Sequence, residues 1–250
     1  MQYAAPSPRD ARTDHRSRAT RQTSPVTRAL TAAALLVAAA CSTSAGPADG
    51  SAAEAASAID SIAAAHGLAR WSDVERLDFT FAVDVADTTR VRRAWTWYPR
   101  ADSVTLATDG RTVAYVRSEP LDSVGRAADA EFVNDTYWLL MPFYLVWSED
   151  GYERAVTYRD TMPLSGALGT KVTVQYRAEG GYTPGDAYDL YVDDGYRLRE
   201  WVYRRGGQPA PSMVMDWGGY EDLGGLVLPT DHRGEGPVRI SHPGTRVTFR

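Results

Sequence analysis

The sequence predicts a mainly β fold with few helices, in which a curled antiparallel sheet, an unclosed β-barrel, is covered by helices. After Trp71, apolar and polar residues alternate along about ten or eleven short segments, as in half-buried strands. Turn pairs such as Asp109-Gly110, Asp194-Gly195 and Gly224-Gly225 separate these segments and favour a single meander. A sheet with that many strands must curl or close.

The first element is a predicted helix in SAAEAASAIDSIAAAHG. Ser51 and Glu54 have the spacing of a capping box, and Gly67 is a typical stop. One face of the helix is apolar or weakly polar and carries Ile59, Ile62, Ala63 and His66. We expect about fifteen helical residues packed on a larger element, with His66 as a C-terminal residue compatible with the helix dipole.

The period then changes to two. In RLDFTFAVDV the residues that face one way are Leu77, Phe79, Phe81, Val83 and Val85. The intervening polar residues face the opposite side, so this segment is predicted to be a strand with one buried face.

A second helix is predicted from about Ala127 to Met141, which ends inside the uncharged run YWLLMPFYLVW. Apolar residues follow helical spacing up to Met141, and Pro142 cannot continue a helix. We therefore expect a turn and an extended FYLVW after it. A membrane span is excluded because about twenty apolar residues are required.

Residues 1–41 have the form of a secretory signal. Six arginines precede ALTAAALLVAAAC, an apolar run that ends in small residues just before Cys41. AAAC resembles the lipobox of bacterial lipoproteins, although Ala38 stands where leucine is commonest. The resemblance implies lipidation of Cys41 after cleavage. The alternative is an ordinary signal peptide cut nearby. Residues 42–52 are predicted to be a flexible tether and residues 53–250 a single β-rich domain.

Charge limits the partners. The formal net charge is −5, and residues 1–41 contribute six arginines and two aspartates, a net of +4, so the remainder carries about −9. An acidic surface repels phosphate backbones, and nucleic acid is not expected as a partner. Membrane attachment is predicted through the lipid at Cys41. A single cysteine excludes an internal disulfide.

The usual catalytic signatures are missing from the sequence. It contains no G-x-S-x-G, no H-E-x-x-H and no Gly-rich phosphate loop, and we predict neither an enzyme nor a cofactor. Two minor alternatives remain. Asp231, His232 and His242 are possible ligands of a metal ion. Asp216, Glu221 and His232 are possible residues of an envelope hydrolase.

The positive signal is a set of large apolar residues that are predicted to line a site for a hydrophobic ligand. They are Trp95, Trp97, Tyr137, Leu140, Met141, Phe143, Met213, Met215 and Trp217. The same residues are equally suited to fill the interior of a curled sheet. The two interpretations differ only in whether space remains between these side chains.

The order of segments also resembles a known family. A helix ending in His-Gly precedes LDFTFAV, RRAWTWYP, YWLLMPFYL, YDLYVDDGYRLREWVYRRGG and LGGLVLPTD. This order resembles uncharacterised bacterial envelope lipoproteins and, more distantly, the LolA/LolB-type lipoprotein carriers. The resemblance implies an unclosed barrel with a cavity for acyl chains. It assigns no functional residue to a position in this sequence.

Together these inferences predict a non-catalytic, lipid-anchored envelope lipoprotein that binds a lipid, a lipoprotein or another acyl-bearing ligand. Ser42 follows the cysteine, without the aspartate that retains lipoproteins in the inner membrane of some bacteria. We therefore expect the outer membrane, with the domain facing the periplasm. The alternative function is a structural or interaction lipoprotein with a filled core.

Overall fold

The computed structural model describes residues 46–179 and 184–250. Cys41 and the predicted signal peptide lie outside these ranges, so their roles stay predictions. The two α-helices are α1 (Ala52–Ala65) and α2 (Ser123–Trp147), and a 3-10 helix at Leu68–Asp73 links α1 to the sheet. The strands are β1 (Ala48–Asp49), β2 (Val74–Val85), β3 (Thr88–Tyr98), β4 (Ser103–Thr108), β5 (Arg111–Val116), β6 (Tyr152–Thr161), β7 (Leu168–Tyr176), β8 (Ala187–Val192), β9 (Leu198–Arg204), β10 (Met213–Asp216), β11 (Glu221–Asp222), β12 (Val227–Leu228), β13 (Asp231–Arg233), β14 (Val238–Ser241) and β15 (Arg246–Phe249).

The fold is mainly antiparallel β, as predicted, but the strands form two principal sheets. One has the order β1-β6-β7-β8-β9-β10, and the other β13-β14-β2-β3-β4-β5, with β15 also pairing with β2. A single bridge between Gly218 and Asp231 connects β10 to β13. The prediction of one continuous meander is wrong between β5 and β6, which do not pair: α2 separates them in the chain, β6 pairs with β1 and β7, and β14 returns to pair with β2. Among the described strands, β1 and β5 are the end strands, and the curled arrangement is unclosed.

Helix α1 has the predicted cap. The Ser51 hydroxyl accepts a hydrogen bond from the backbone N–H of Glu54, and the Glu54 carboxylate accepts one from the Ser51 N–H at 2.7 Å. Ile59, Ile62 and His66 are buried, so the predicted face is the packed one. The cap therefore fixes where the helix begins, while its burial supplies most of the stability of a helix this short.

The chain joins the sheet earlier than the predicted boundary at residue 53. Ala48 and Asp49 pair with Tyr158 and Thr157 of β6, and the Gly50 N–H donates to the Val156 carbonyl at 2.9 Å. The last residues of the predicted tether 42–52 are thus held by backbone hydrogen bonds.

Strand β2 carries the predicted inward face. Leu77, Phe79 and Phe81 are buried, and the register places Leu77 beside Trp97 and Phe79 beside Trp95 on β3. This alternation brings large side chains from neighbouring strands onto the face that α2 covers.

Helix α2 is longer than predicted, and the prediction of an extended FYLVW is wrong. The helix continues to Trp147, with one non-helical residue, Leu140, at φ −121° and ψ 15°. Pro142 comes two residues after this break. A proline is tolerated in the first turn of a helix because its missing N–H has no partner there. Leu140 therefore ends one helical segment, and Pro142 lies in the first turn of the next.

Within the described part of the chain, no helix has the length and apolarity needed to cross a membrane.

Candidate ligand-binding interior

The predicted ligand-binding residues lie mostly in the interior between the sheets and α2. Trp95, Trp97, Leu140, Met141, Phe143, Met215 and Trp217 are buried, with exposures between 0% and 7%. Tyr137 and Met213 are partly buried and pack against the same core. The structure thus brings the set into one cluster, and in this conformation the side chains pack on one another.

Aromatic rings form a continuous circuit through this interior. Consecutive ring centroids are 4.7 to 6.5 Å apart, the range of favourable aromatic pairs. The circuit runs through Trp71, Trp97, Phe132, Trp95, Phe79, His242, His232, Trp217, Trp201, Tyr188, Tyr137, Tyr144 and Trp147, which returns to Trp71. Both sheets and α2 contribute to it.

Sequence reasoning missed several of these residues, notably Trp201 and Tyr188. Trp201 pairs with Leu190 and Met215, which are both buried, but a register shift between Tyr191 and Val192 disturbs the alternation along β8 and β9. Every residue of β8 is also buried, so this strand has no exposed face to reveal the period. Trp138 and Trp147 lay in the apolar run, where helical spacing alone does not single them out.

Polar contacts attach the first segment of α2 to the sheet. Asp135 is fully buried and accepts hydrogen bonds from Arg93 Nε at 2.7 Å and from Trp95 Nε1 at 2.8 Å. One turn and a half earlier, Asp129 accepts from Arg117 Nε at 2.6 Å. Burial raises the pKa of Asp135, and Arg93 opposes that rise. Paired charges inside an apolar interior fix the position of this segment.

The second segment of α2, residues 141–147, is held differently. Met141, Phe143 and Leu145 are buried, and the hydroxyl of Tyr152 donates to the Leu145 carbonyl. The segment ends at Trp147, which is 40% exposed and packs against Trp71 with centroids 5.1 Å apart. The aromatic interior therefore reaches the surface at the end of α2.

Three histidines in the described part of the chain, His66, His232 and His242, are fully buried. His66 Nδ1 lies 2.7 Å from the Ile62 carbonyl, and burial lowers its pKa to about 4. Burial likewise lowers the pKa of His232 to about 4 and that of His242 to about 3. All three rings are neutral near pH 7, and their neighbours are mainly aromatic.

The arrangement does not assemble the two minor alternatives. His232 Nδ1 contacts the backbone oxygen of Asp216, at 3.2 Å, whereas the Asp216 carboxylate accepts from the Arg233 N–H. Glu221 is exposed, and one of its carboxylate oxygens lies 3.4 Å from the Thr230 hydroxyl. In residues 46–179 and 184–250, no group of three or more His, Cys, Asp or Glu residues has a geometry suited to a metal ion.

Two of the protein's surface pockets lie away from the nine predicted ligand-binding residues. The larger, of about 580 Å³, is polar and lies on the outer side of β2, β3 and β14, with Asp84, Arg92, Asp231 and Arg239 in its wall. The second, of about 330 Å³, lies between β5 and the start of α2. Neither is lined by any of the nine predicted ligand-binding residues.

Comparison with solved structures gives distant likenesses. A DUF1329 family protein from Desulfovibrio piger superposes with a TM-score of 0.43 at 10% identity, over 77% of this chain and 92% of that one. A domain assigned provisionally to outer membrane lipoprotein sorting, from Vibrio parahaemolyticus, gives 0.39 at 10% identity, over 78% and 93%. No family model and no curated protein matches the sequence.

Proposed function

We propose that this chain is a non-catalytic, lipid-anchored binding protein of the bacterial envelope that takes an acyl-bearing ligand into the interior beneath α2. The observation that carries the proposal is the break in α2 at Leu140. It separates a segment fixed by buried ion pairs from a segment, residues 141–147, that covers the aromatic interior mainly through apolar contacts.

The packing of the interior determines which part of the protein must move before such a ligand can enter. Because the predicted residues pack on one another, uptake requires residues 141–147 to move outward while the first segment of α2 stays in place. A helix break supplies a hinge at this position. The partly exposed pair Trp71 and Trp147 lies where the moving segment meets solvent. An acyl chain entering there replaces side-chain contacts of similar apolarity.

The anchor and location belong to the same proposal. Lipidation at Cys41 holds the chain at a membrane, with the outer membrane facing the periplasm as the expected site. An acyl ligand then comes from a lipid or from a lipoprotein. The support is the signal sequence and the apolar interior, since the surface is too acidic to attract anionic headgroups.

The test is a titration with acylglycerols of increasing chain length, followed by tryptophan emission. All seven tryptophans belong to the aromatic interior or its rim, so uptake changes their surroundings. The full chain with Cys41→Ser, which lacks the anchor, is the sample. We expect saturable binding that tightens by up to about 0.8 kcal/mol per added CH₂, the value for burial of a methylene.

A second function is favoured by the burial of Trp95, Leu140, Met141 and Phe143. A structural or interaction lipoprotein needs only a filled core. In that case emission does not saturate, and affinity does not depend on chain length.

A further inference from the structure

The interior contains several polar atoms that have no hydrogen-bond partner among the described residues. They are Nε1 of Trp97, Trp201 and Trp217, Nε2 of His232 and Nδ1 of His242. A buried donor or acceptor without a partner costs about 1–3 kcal/mol, so native proteins rarely keep several of them without a use.

Four of these five residues are neighbours. The Trp201 and Trp217 centroids are 5.6 Å apart, Trp217 lies 4.7 Å from His232, and His232 lies 5.7 Å from His242. Trp138 of α2 also packs against His232, at 5.4 Å. Four of the five unpartnered atoms thus belong to one contiguous cluster, the His232 cluster, made of Trp138, Trp201, Trp217, His232 and His242.

The chemistry of each atom follows from its neighbours. His232 Nδ1 contacts the Asp216 carbonyl at 3.2 Å, and a carbonyl only accepts, so this nitrogen carries the hydrogen of the neutral ring. His232 Nε2 is then an acceptor. His242 Nε2 lies 3.4 Å from the Asp135 carbonyl and carries the hydrogen of that ring, so His242 Nδ1 is an acceptor as well. The two indole N–H groups are donors. A group that satisfies all of them both donates and accepts.

The charges around the His232 cluster restrict the chemistry of its ligand further. None of the residues in ring contact with His232 carries a charge, and the nearest buried ionised pair, Arg93 with Asp135, is already internally matched. A carboxylate in the cluster would face two acceptors and no free cation, which disfavours it strongly. An uncharged hydroxyl, ester or amide meets no such penalty.

We propose that the His232 cluster receives the head group of the acyl ligand and selects uncharged head groups that both donate and accept hydrogen bonds, such as glycerol esters, over free fatty acids. This inference rests on the proposed function. The aromatic circuit contributes the surface for the acyl chain, and the cluster contributes the polar end of the site.

The test compares 1-monopalmitoylglycerol with palmitate at pH 7.5, using the full chain with Cys41→Ser and tryptophan emission. We expect the ester to bind at least tenfold more tightly. In His232→Phe, which keeps a ring but loses the acceptor, the preference should fall to within about threefold. His66→Gln, at a buried histidine outside the cluster, should keep it.

The outcomes separate the two proposals. If neither ligand binds, the proposed function fails and this inference with it. If palmitate binds as tightly as the ester to the unsubstituted chain, only the head-group assignment fails. Unchanged selectivity in a folded His232→Phe variant also overturns the assignment. His242→Phe provides a second test if His232→Phe does not fold.

Discussion

Arg93 of β3 donates two hydrogen bonds to the Asp135 carboxylate of α2, one of 2.7 Å from Nε and one of 2.5 Å from Nη2. The carboxylate is fully buried, and the Trp95 indole donates to the same oxygen as Arg93 Nε. This two-point contact joins the covering helix to the sheet and determines which part of α2 stays fixed when residues 141–147 move.

Removal of Arg93 leaves a buried carboxylate with too few donors. We expect Arg93→Met to lower the free energy of unfolding by about 3 kcal/mol, the range for breaking a buried pair. Urea unfolding measures this. Arg93→Met combined with Asp135→Asn should lose clearly less than the two single changes added together, and simple additivity would argue against the contact.

The three buried histidines predict acid sensitivity. Their pKa values in the folded protein, about 4, 4 and 3, lie below the ordinary value of 6.5. The unfolded chain therefore binds more protons between pH 6.5 and 4, and stability present above pH 6.5 is lost as the pH falls through this window. At 1.36 kcal/mol per pKa unit, the full loss is about 3 kcal/mol for His66 or His232 and about 5 kcal/mol for His242, whose window extends to about pH 3.

Urea midpoints at pH 7.5, 6 and 5 check this prediction. The lowered pKa values of Asp193 and Asp231 act below the ordinary carboxylate value of 3.8 and hardly contribute in this window. His232→Phe should flatten the dependence if it folds. A midpoint that does not change between pH 7.5 and 5 would contradict the assignment of neutral, buried rings.

Pro142 predicts a local effect on the covering segment. Pro142→Ala removes the ring that prevents a continuous helix across Leu140, and we expect slower amide exchange in residues 139–147 and slower ligand uptake. Hydrogen–deuterium exchange reports the first and stopped-flow tryptophan emission the second. Pro120→Ala, in the exposed loop before α2, is the matched control. Equal amide exchange rates in the two variants would contradict a hinge at Leu140.

Replacement of Gly67 by alanine is expected to destabilise the fold strongly. It has φ +87°, and a Cβ there would lie 1.9 Å from the Gly225 carbonyl oxygen. Gly110 has a similar φ of +75° but open space around it. We expect Gly67→Ala to destabilise by about 3 kcal/mol or more and Gly110→Ala by about 1 kcal/mol. Comparable losses would show that backbone strain, not the close approach, dominates.

Local signals predicted much of the fold. The Ser51–Glu54 cap, the Gly67 stop and the alternation of Leu77, Phe79 and Phe81 act within a few residues, so they are readable from the sequence. These signals predicted the positions of α1 and β2 closely. The pairing of β14 with β2 joins strands from opposite ends of the domain, and no local pattern marks it.

The candidate site shows the same division. Trp95, Trp97 and Met215 were predictable because strand alternation turned them inward. The prediction of an extended FYLVW was wrong because a proline is compatible with two positions, just after the end of one helix or in the first turn of the next. Tertiary packing places Pro142 in the second position. The role of His232 could not be read from the sequence, since the rings that contact it, Trp138 and Trp217, come from different parts of the fold.

The most direct test of ligand uptake is native mass spectrometry of the full chain with Cys41→Ser, purified from bacterial cells without added lipid. We expect a population carrying one non-covalent acyl ligand, which is displaced by 1-monopalmitoylglycerol. A protein that is uniformly ligand-free, and that stays so at saturating monopalmitoylglycerol, would contradict it.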